Sequence, residues 1–277
     1  MIRLIPIRPH VLYNFVLMDI KQTWKNINLS RIAWLQRRGS IYFPFWNMVF
    51  KYPPLMLFNV LVILRANLFN TCIIHTIGDS HVVPFTYRFP FLVHHISQAT
   101  AHNLIKEKSF TRSKEYLELF LKRVNKKRDV VFLVFGEIDA RVHIYLKYGQ
   151  SGRTKTFDEL IAETVKRYGQ AIMKIRDQGI AVVVHGIPPA ASKDFITALP
   201  FSGKPSERSE ISRKFNEQLR EYCRSVDVPY VDIQSIAADK KGFIKKYYLA
   251  DEVHCNSRIV PYCRQKIKEA FGSSKKI

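Results

Sequence analysis

Cys72-Ile73-Ile74-His75-Thr76-Ile77-Gly78-Asp79-Ser80-His81 is the stretch on which the architecture turns. Its first six residues form an apolar run of strand length, interrupted only by His75 and Thr76, and read as a buried strand. Ser80 therefore falls just past the C-terminal end of the strand, the edge where open α/β sheets bind their ligands. Working outward, further apolar runs at 89–96, 130–135, 180–186 and 229–233 read as four more strands. Amphipathic stretches at 113–126, 157–177 and 206–225 separate them as helices, and a last helix follows over 257–270. Gly179 is a good stop for the middle helix. Strands alternating with helices imply a mostly parallel sheet covered on both faces.

Upstream of this pattern the composition changes. Residues 1–70 hold nine Lys and Arg against one acid, Asp19, a net of +8, together with Trp24, Trp34 and Trp46. We read 1–70 as a basic aromatic N-terminal extension and 71–277 as the main domain. The cluster Tyr42-Phe43-Pro44-Phe45-Trp46 through Phe50-Lys51-Tyr52 suits either packing against that domain or an anionic membrane surface, where rings and cations are both favoured. The apolar run 55–64 is too short to span a bilayer, which takes about 20 residues. No signal-peptide cleavage pattern follows the first apolar stretch, so a cytoplasmic protein, peripheral to the membrane at most, is expected.

The whole chain carries +21 from 44 Lys and Arg against 23 Asp and Glu. Such an excess favours polyanionic surroundings without choosing among them. No zinc finger, helix-turn-helix or aromatic RNA-binding signature is present, so specific nucleic-acid binding is not expected. Cys72, Cys223, Cys255 and Cys263 show no metal-binding spacing and read as reduced thiols. Neither a Walker loop nor a dinucleotide fingerprint occurs, and no cofactor or metal is expected.

The chemistry lies in two short segments. Ser80 is a weak nucleophile until a base takes its proton, and the base needs an orienting partner. Asp251-Glu252-Val253-His254, just before the last helix, supplies an imidazole and a carboxylate three residues apart. Between the two, Phe135-Gly136-Glu137-Ile138-Asp139-Ala140-Arg141 follows the third strand.

Gly78-Asp79-Ser80 and Asp251-x-x-His254 resemble the first and last conserved blocks of the SGNH (GDSL-like) hydrolases, a resemblance covering about 71–272. The 136–141 segment is similar to a Gly-Glu-Ile-Asp-x-Arg variant of the block that is usually Gly-x-Asn-Asp, found in SGNH-like proteins some of which are linked to surface-polysaccharide pathways. The resemblance implies a three-layer α/β/α sandwich with a five-stranded parallel sheet in flavodoxin-like order 2-1-3-4-5. It implies Ser80 as nucleophile and donor of a backbone N–H to the oxyanion, His254 as general base, and Asp251 as its orienter.

Two departures follow from it. The family's oxyanion-donating Asn aligns with Ile138, which cannot donate, and the glycine of the second block aligns with Ser97. Gly136, Glu137, Arg141 and His81 are the remaining candidates for oxyanion or substrate binding. Arg141 is placed either on an anionic substrate group or in an ion pair with Glu137 or Asp139, and His81 either on substrate or in a packing or hydrogen-bonding role. Asp139 is expected to be structural, and His143 lies in the same cluster. His185-Gly186-Ile187-Pro188-Pro189 and the long loop 190–210 would shape the rim.

The expected activity is a serine esterase or deacylase acting through an acyl-enzyme, on a small-molecule or glycan ester such as O-acylated carbohydrate. The alternatives are an acyltransferase on surface polysaccharide and a non-catalytic glycan-binding scaffold.

Overall fold

A computed structural model describes residues 52–193 and 203–277. The aromatic-basic cluster of 42–51, with Trp24, Trp34 and Trp46, lies outside the described residues, as does most of the loop after Pro189. The chain divides into two compact units, 1–63 and 64–277. Helix α1, Tyr52–Phe69, is the first described element. Among the described residues no helix is long and apolar enough to cross a membrane.

Five parallel strands follow: β1 (Ile74–Gly78), β2 (Phe91–His95), β3 (Val130–Val134), β4 (Ala181–His185) and β5 (Tyr230–Val231), in the order β2-β1-β3-β4-β5. The layers follow from the pleat, because successive side chains point to opposite faces. Val131 and Leu133 of β3 enter one core cluster. They meet there Leu117 of α2 (Ser113–Leu121), Ile161 and Ile172 of α4 (Phe157–Arg176), and Phe215 of α5 (Pro205–Ser225). Val130, Phe132 and Val134 enter the opposite cluster, with Ile233 of α6 (Ile233–Ala237) and Cys263 and Ile267 of α7 (Val260–Phe271). This is the expected α/β/α sandwich. Every residue of β1 and β3 is buried, so β3 reads as a continuous apolar run and β1 as one broken by His75 and Thr76, neither alternating as a half-exposed strand would.

Helix boundaries follow local chemistry. Thr156 and Glu159 form a reciprocal capping box at the start of α4. α2 stops at Leu121, short of the expected residue 126, because the chain turns there and Asp129 Oδ2 accepts the Asn125 N–H at 3.0 Å. β5 is shorter than expected for a similar reason: Asp232 Oδ1 accepts the Ser235 N–H at 3.1 Å, capping α6 and drawing Ile233 into the helix. The short helix α3 (Ile144–Gln150), preceded by a π-helical turn over Asp139–His143, is an element the sequence reading did not contain.

Two glycines are required by space. A Cβ on Gly78 would lie 2.2 Å from the Val134 carbonyl oxygen of the neighbouring strand. Gly136 has φ +114°, and a Cβ there would stand 2.8 Å from the Phe215 ring and 2.9 Å from Ile187. Gly136→Ala combines strain with overpacking, so a loss of about 2–4 kcal/mol in unfolding free energy is expected. Urea denaturation followed by circular dichroism measures it, and a loss below about 0.5 kcal/mol would contradict the packing described.

Candidate active site

All five strands are parallel, so their C-terminal ends share one edge, and the candidate residues gather there. β1 ends at Gly78 and a 3₁₀ turn, Ser80–Phe85, begins at once. Asp79 caps that turn: its Oδ1 accepts the His81 backbone N–H at 2.9 Å. The cap fixes the backbone at Ser80. Asp79 itself is fully buried and serves the turn.

The 251–254 loop is built around one carboxylate. Asp251 Oδ1 accepts the backbone N–H groups of Val253 and His254, each at 2.9 Å. The same carboxylate accepts from His254 Nδ1, at 2.7 Å to Oδ2 and 2.9 Å to Oδ1. A carboxylate can only accept here, so Nδ1 carries the hydrogen and Nε2 is left as the acceptor. The Ser80 hydroxyl donates to that Nε2 at 2.7 Å. Partial burial works against the ionised form of Asp251, but the His254 side chain and the two backbone N–H groups outweigh it. They hold its carboxyl well below the usual carboxylate range. The acid therefore stays ionised beside the imidazole. Two segments distant in sequence thus meet in an unbroken Ser80–His254–Asp251 chain of hydrogen bonds.

A second histidine stands behind the first. The His81 and His254 ring centres are 4.7 Å apart. His81 Nδ1 donates to Asp79 Oδ1 at 2.8 Å, and Nε2 donates to the Val253 carbonyl at 3.3 Å, with Glu137 Oε2 3.7 Å away. Both ring nitrogens face acceptors, so the ring is held as an imidazolium. Burial opposes that charge, but Asp79 and Glu137 outweigh it and raise the pKa from 6.5 to about 9. Of the two readings given to His81, hydrogen bonding is what the geometry shows: it ties the turn of Ser80 to the loop of His254.

The linkage carries a sign. The folded value lies above the unfolded one. The stabilisation is therefore complete below about pH 6.5 and is lost as pH rises through about 9. Over that window unfolding free energy should fall by on the order of 3 kcal/mol, and His81→Gln should flatten the slope. Denaturation series at several pH values measure both, and an equal slope in wild type and His81→Gln would remove His81 as the source.

Arg141 adopts the ion-pair alternative. Its Nε donates to Glu137 Oε1 at 2.6 Å and its Nη2 to Oε2 at 3.1 Å, both groups buried. Glu137 therefore joins Arg141 on one side and approaches His81 on the other. Asp139 is structural, as expected: its carboxylate accepts the N–H groups of Ala101 and His102 at 2.6 and 3.2 Å, and His143 Nδ1 lies 3.3 Å away. Burial raises the pKa of Asp139 against these partners. Ser97 lies in the turn after β2, half-buried, directly after Ile96, whose N–H donates to the Gly78 carbonyl at 2.8 Å. This puts Ser97 beside the end of β1. Ile138 is half-buried at the head of the π-helical turn. Gly136 lets the chain pass Phe215 and Ile187, and His185 is buried against the Phe85 and Phe132 rings. Among the described residues no group of three His, Cys, Asp or Glu is placed to hold a metal ion. Cys72, Cys223, Cys255 and Cys263 are buried and unpaired, and burial raises all four thiols above their usual range.

The GDSL-like lipase/acylhydrolase family model matches residues 77–259, about two thirds of the chain, from the end of β1 to the start of α7. The chain belongs to that family. As a GDSL-like acylhydrolase it falls in a family of ester hydrolases. No curated protein matches the sequence. Structural matches include a candidate platelet activating factor from Streptococcus pneumonia, 18% identical, over 79% of this chain and 93% of that one, with a TM-score of 0.50. A GDSL-like lipase from Bacteroides thetaiotaomicron matches at 13% identity over 73% and 88% of the two chains, TM-score 0.47. A catalytic mutant of an acetylxylan esterase from Geobacillus stearothermophilus matches at 11% identity over 72% and 93%, TM-score 0.43.

Proposed function

We propose that this GDSL-like protein is a serine esterase or deacylase that works through an acyl-enzyme. The observation that carries the reading is the 2.7 Å hydrogen bond from the Ser80 hydroxyl to His254 Nε2, continued to Asp251. In the first half-reaction Ser80 Oγ attacks the ester carbonyl carbon while its proton passes to His254 Nε2. The carbonyl oxygen becomes an oxyanion facing the Ser80 backbone N–H, with the Ser97 N–H as second donor. The tetrahedral intermediate collapses, the ester C–O bond breaks, and the imidazolium returns its proton to the departing alkoxide. In the second half-reaction water gives a proton to His254, attacks the acyl-enzyme, and the acid is released as Ser80 recovers its proton. Asp251 holds the tautomer and stabilises the transient imidazolium without itself taking the proton.

An O-acylated carbohydrate is the substrate class we propose, on the resemblance of the Gly136-to-Arg141 block to a variant found in SGNH-like proteins linked to surface-polysaccharide pathways. A panel of O-acetylated sugars and short acyl nitrophenyl esters tests it: turnover of the simple esters with none of any sugar ester would reject the carbohydrate assignment and leave the esterase. Labelling by a fluorophosphonate probe, lost in Ser80→Ala, is the expected result for the nucleophile.

One observation favours a second reading, a glycan-binding scaffold without turnover: Ile138 stands where the family places an oxyanion donor. Failure of folded wild-type protein to label would select it. Acyl transfer uses the same residues with a sugar hydroxyl in place of water, and is diagnosed by acylated sugar among the products.

A further inference from the structure

The edge of the sheet opposite Ser80 carries a surface that ester chemistry leaves unused. The last turns of α1 expose Leu64, Leu68 and Phe69, at 40%, 69% and 58% of their surface. The Thr71 N–H donates to the Ala66 carbonyl at 3.0 Å, and the Cys72 N–H to the Lys276 carbonyl at 2.8 Å. The helix end, the start of β1 and the C-terminal tail therefore meet. Cations gather at this end of the helix. Arg128 Nη1 donates to Asn67 Oδ1 at 2.8 Å, Lys276 Nζ reaches the Phe69 carbonyl at 3.5 Å, and Lys275 Nζ reaches the carbonyls of Lys126 and Lys127 at 3.3 and 2.8 Å. The Lys126, Lys127 and Lys276 side chains are exposed. The acid brought here, Asp129, is buried and already accepts from Arg128 Nε and from the Ile73 and Asn125 N–H groups. It neutralises Arg128 and also meets His75, and among the described residues no acid pairs with Lys126, Lys127, Lys275 or Lys276.

We infer that this surface docks on an anionic lipid bilayer, Leu64, Leu68 and Phe69 entering the headgroup layer and the surrounding cations resting on lipid phosphates. A merely solvated basic face has no use for exposed leucine and phenylalanine beside its cations, and a nucleic-acid backbone offers those side chains nothing. A bilayer interface satisfies both parts at once, with long cationic stems reaching up to the phosphates. The inference stands apart from the esterase reading, and it fixes an orientation. β1 runs for about 17 Å between this surface and the Ser80 rim, at the usual rise of about 3.3 Å per residue. Docking here turns the Ser80 rim toward water, away from the lipid.

Full-length protein is sedimented with vesicles of mixed phosphatidylglycerol and phosphatidylcholine, and with pure phosphatidylcholine. Wild type should bind only the mixed vesicles, less so at high salt. The triple variant K126E/K127E/K276E should lower partitioning by about a hundredfold, and L64S/L68S/F69S by about tenfold. Unchanged melting temperatures certify the fold, and the single Leu68→Ser variant serves if a triple variant melts early. Wild type that ignores the mixed vesicles overturns the inference, as does binding that both variants retain, since residues 1–51 would then carry it. A loss confined to the charge variant also overturns it, assigning the patch to a soluble polyanion.

Discussion

Ser80→Ala should reduce ester hydrolysis by about 10⁴-fold or more while leaving the melting temperature within about 2 °C of wild type. The size follows from the unity of the site: the hydroxyl, the imidazole and the carboxylate act in one step, so removal of the attacking atom forfeits nearly all of their joint contribution. What survives is the residue due to the oxyanion donors and to binding. The fold should tolerate the change because the structural work of this turn is done by neighbours. Asp79 caps it through the His81 N–H, and Gly78 sets the approach of β1 to β3. Steady-state hydrolysis of an activated ester, with thermal unfolding alongside, makes the measurement. A variant that keeps a tenth of the wild-type rate would place the nucleophile elsewhere.

The second large effect runs the other way. Ile138→Asn should raise kcat on the same ester by about 10- to 100-fold, whereas Ile138→Leu should not. Losing one side-chain donor from an oxyanion hole costs about 3–4 kcal/mol in enzymes that use one, and this chain forgoes it by carrying an isoleucine. Full recovery is not expected, since a donor needs supporting contacts to hold it in line. Ile138 is only half-buried at the head of a helical turn, so an amide of smaller size fits without opening the core. The gain should appear in kcat with little change in KM, as befits a contact strengthened in the transition state. An Ile138→Asn protein no faster than wild type would mean that residue 138 does not face the reacting carbonyl.

Much of this was legible in the residues. The apolar runs gave five strands within about two residues of their ends, because buried parallel strands are continuous apolar stretches. The pairing of Ser80 with Asp251 and His254 was legible because both segments sit where strands end or helices begin. What escaped depends on local conformation that composition does not reveal. The sequence leaves Glu137 and Asp139 as equal partners for Arg141. Only when residues 137–144 turn out helical does the four-residue spacing bring Glu137 alongside it. The role of Asp79 was hidden for a different reason. Asp79 enters the sequence reading only as a member of the Gly78-Asp79-Ser80 block, and its use as a cap becomes visible only with the 3₁₀ turn. Asp232 shortened β5 in the same way, a capping signal that lay in the sequence unread.

The Asp251 carboxylate has a consequence for how activity is switched on. Its recorded partners, Val253 and His254, all lie within three residues of it, so base and orienter form a prefabricated unit that needs no distant help to take shape. The bonds that cross the molecule are the one to Ser80 and the one from His81 to the Val253 carbonyl. Competence is therefore decided by the berthing of one short loop, seated by the buried Val253 and Cys255. A shift of an ångström or two there would idle the reaction while every part stayed intact.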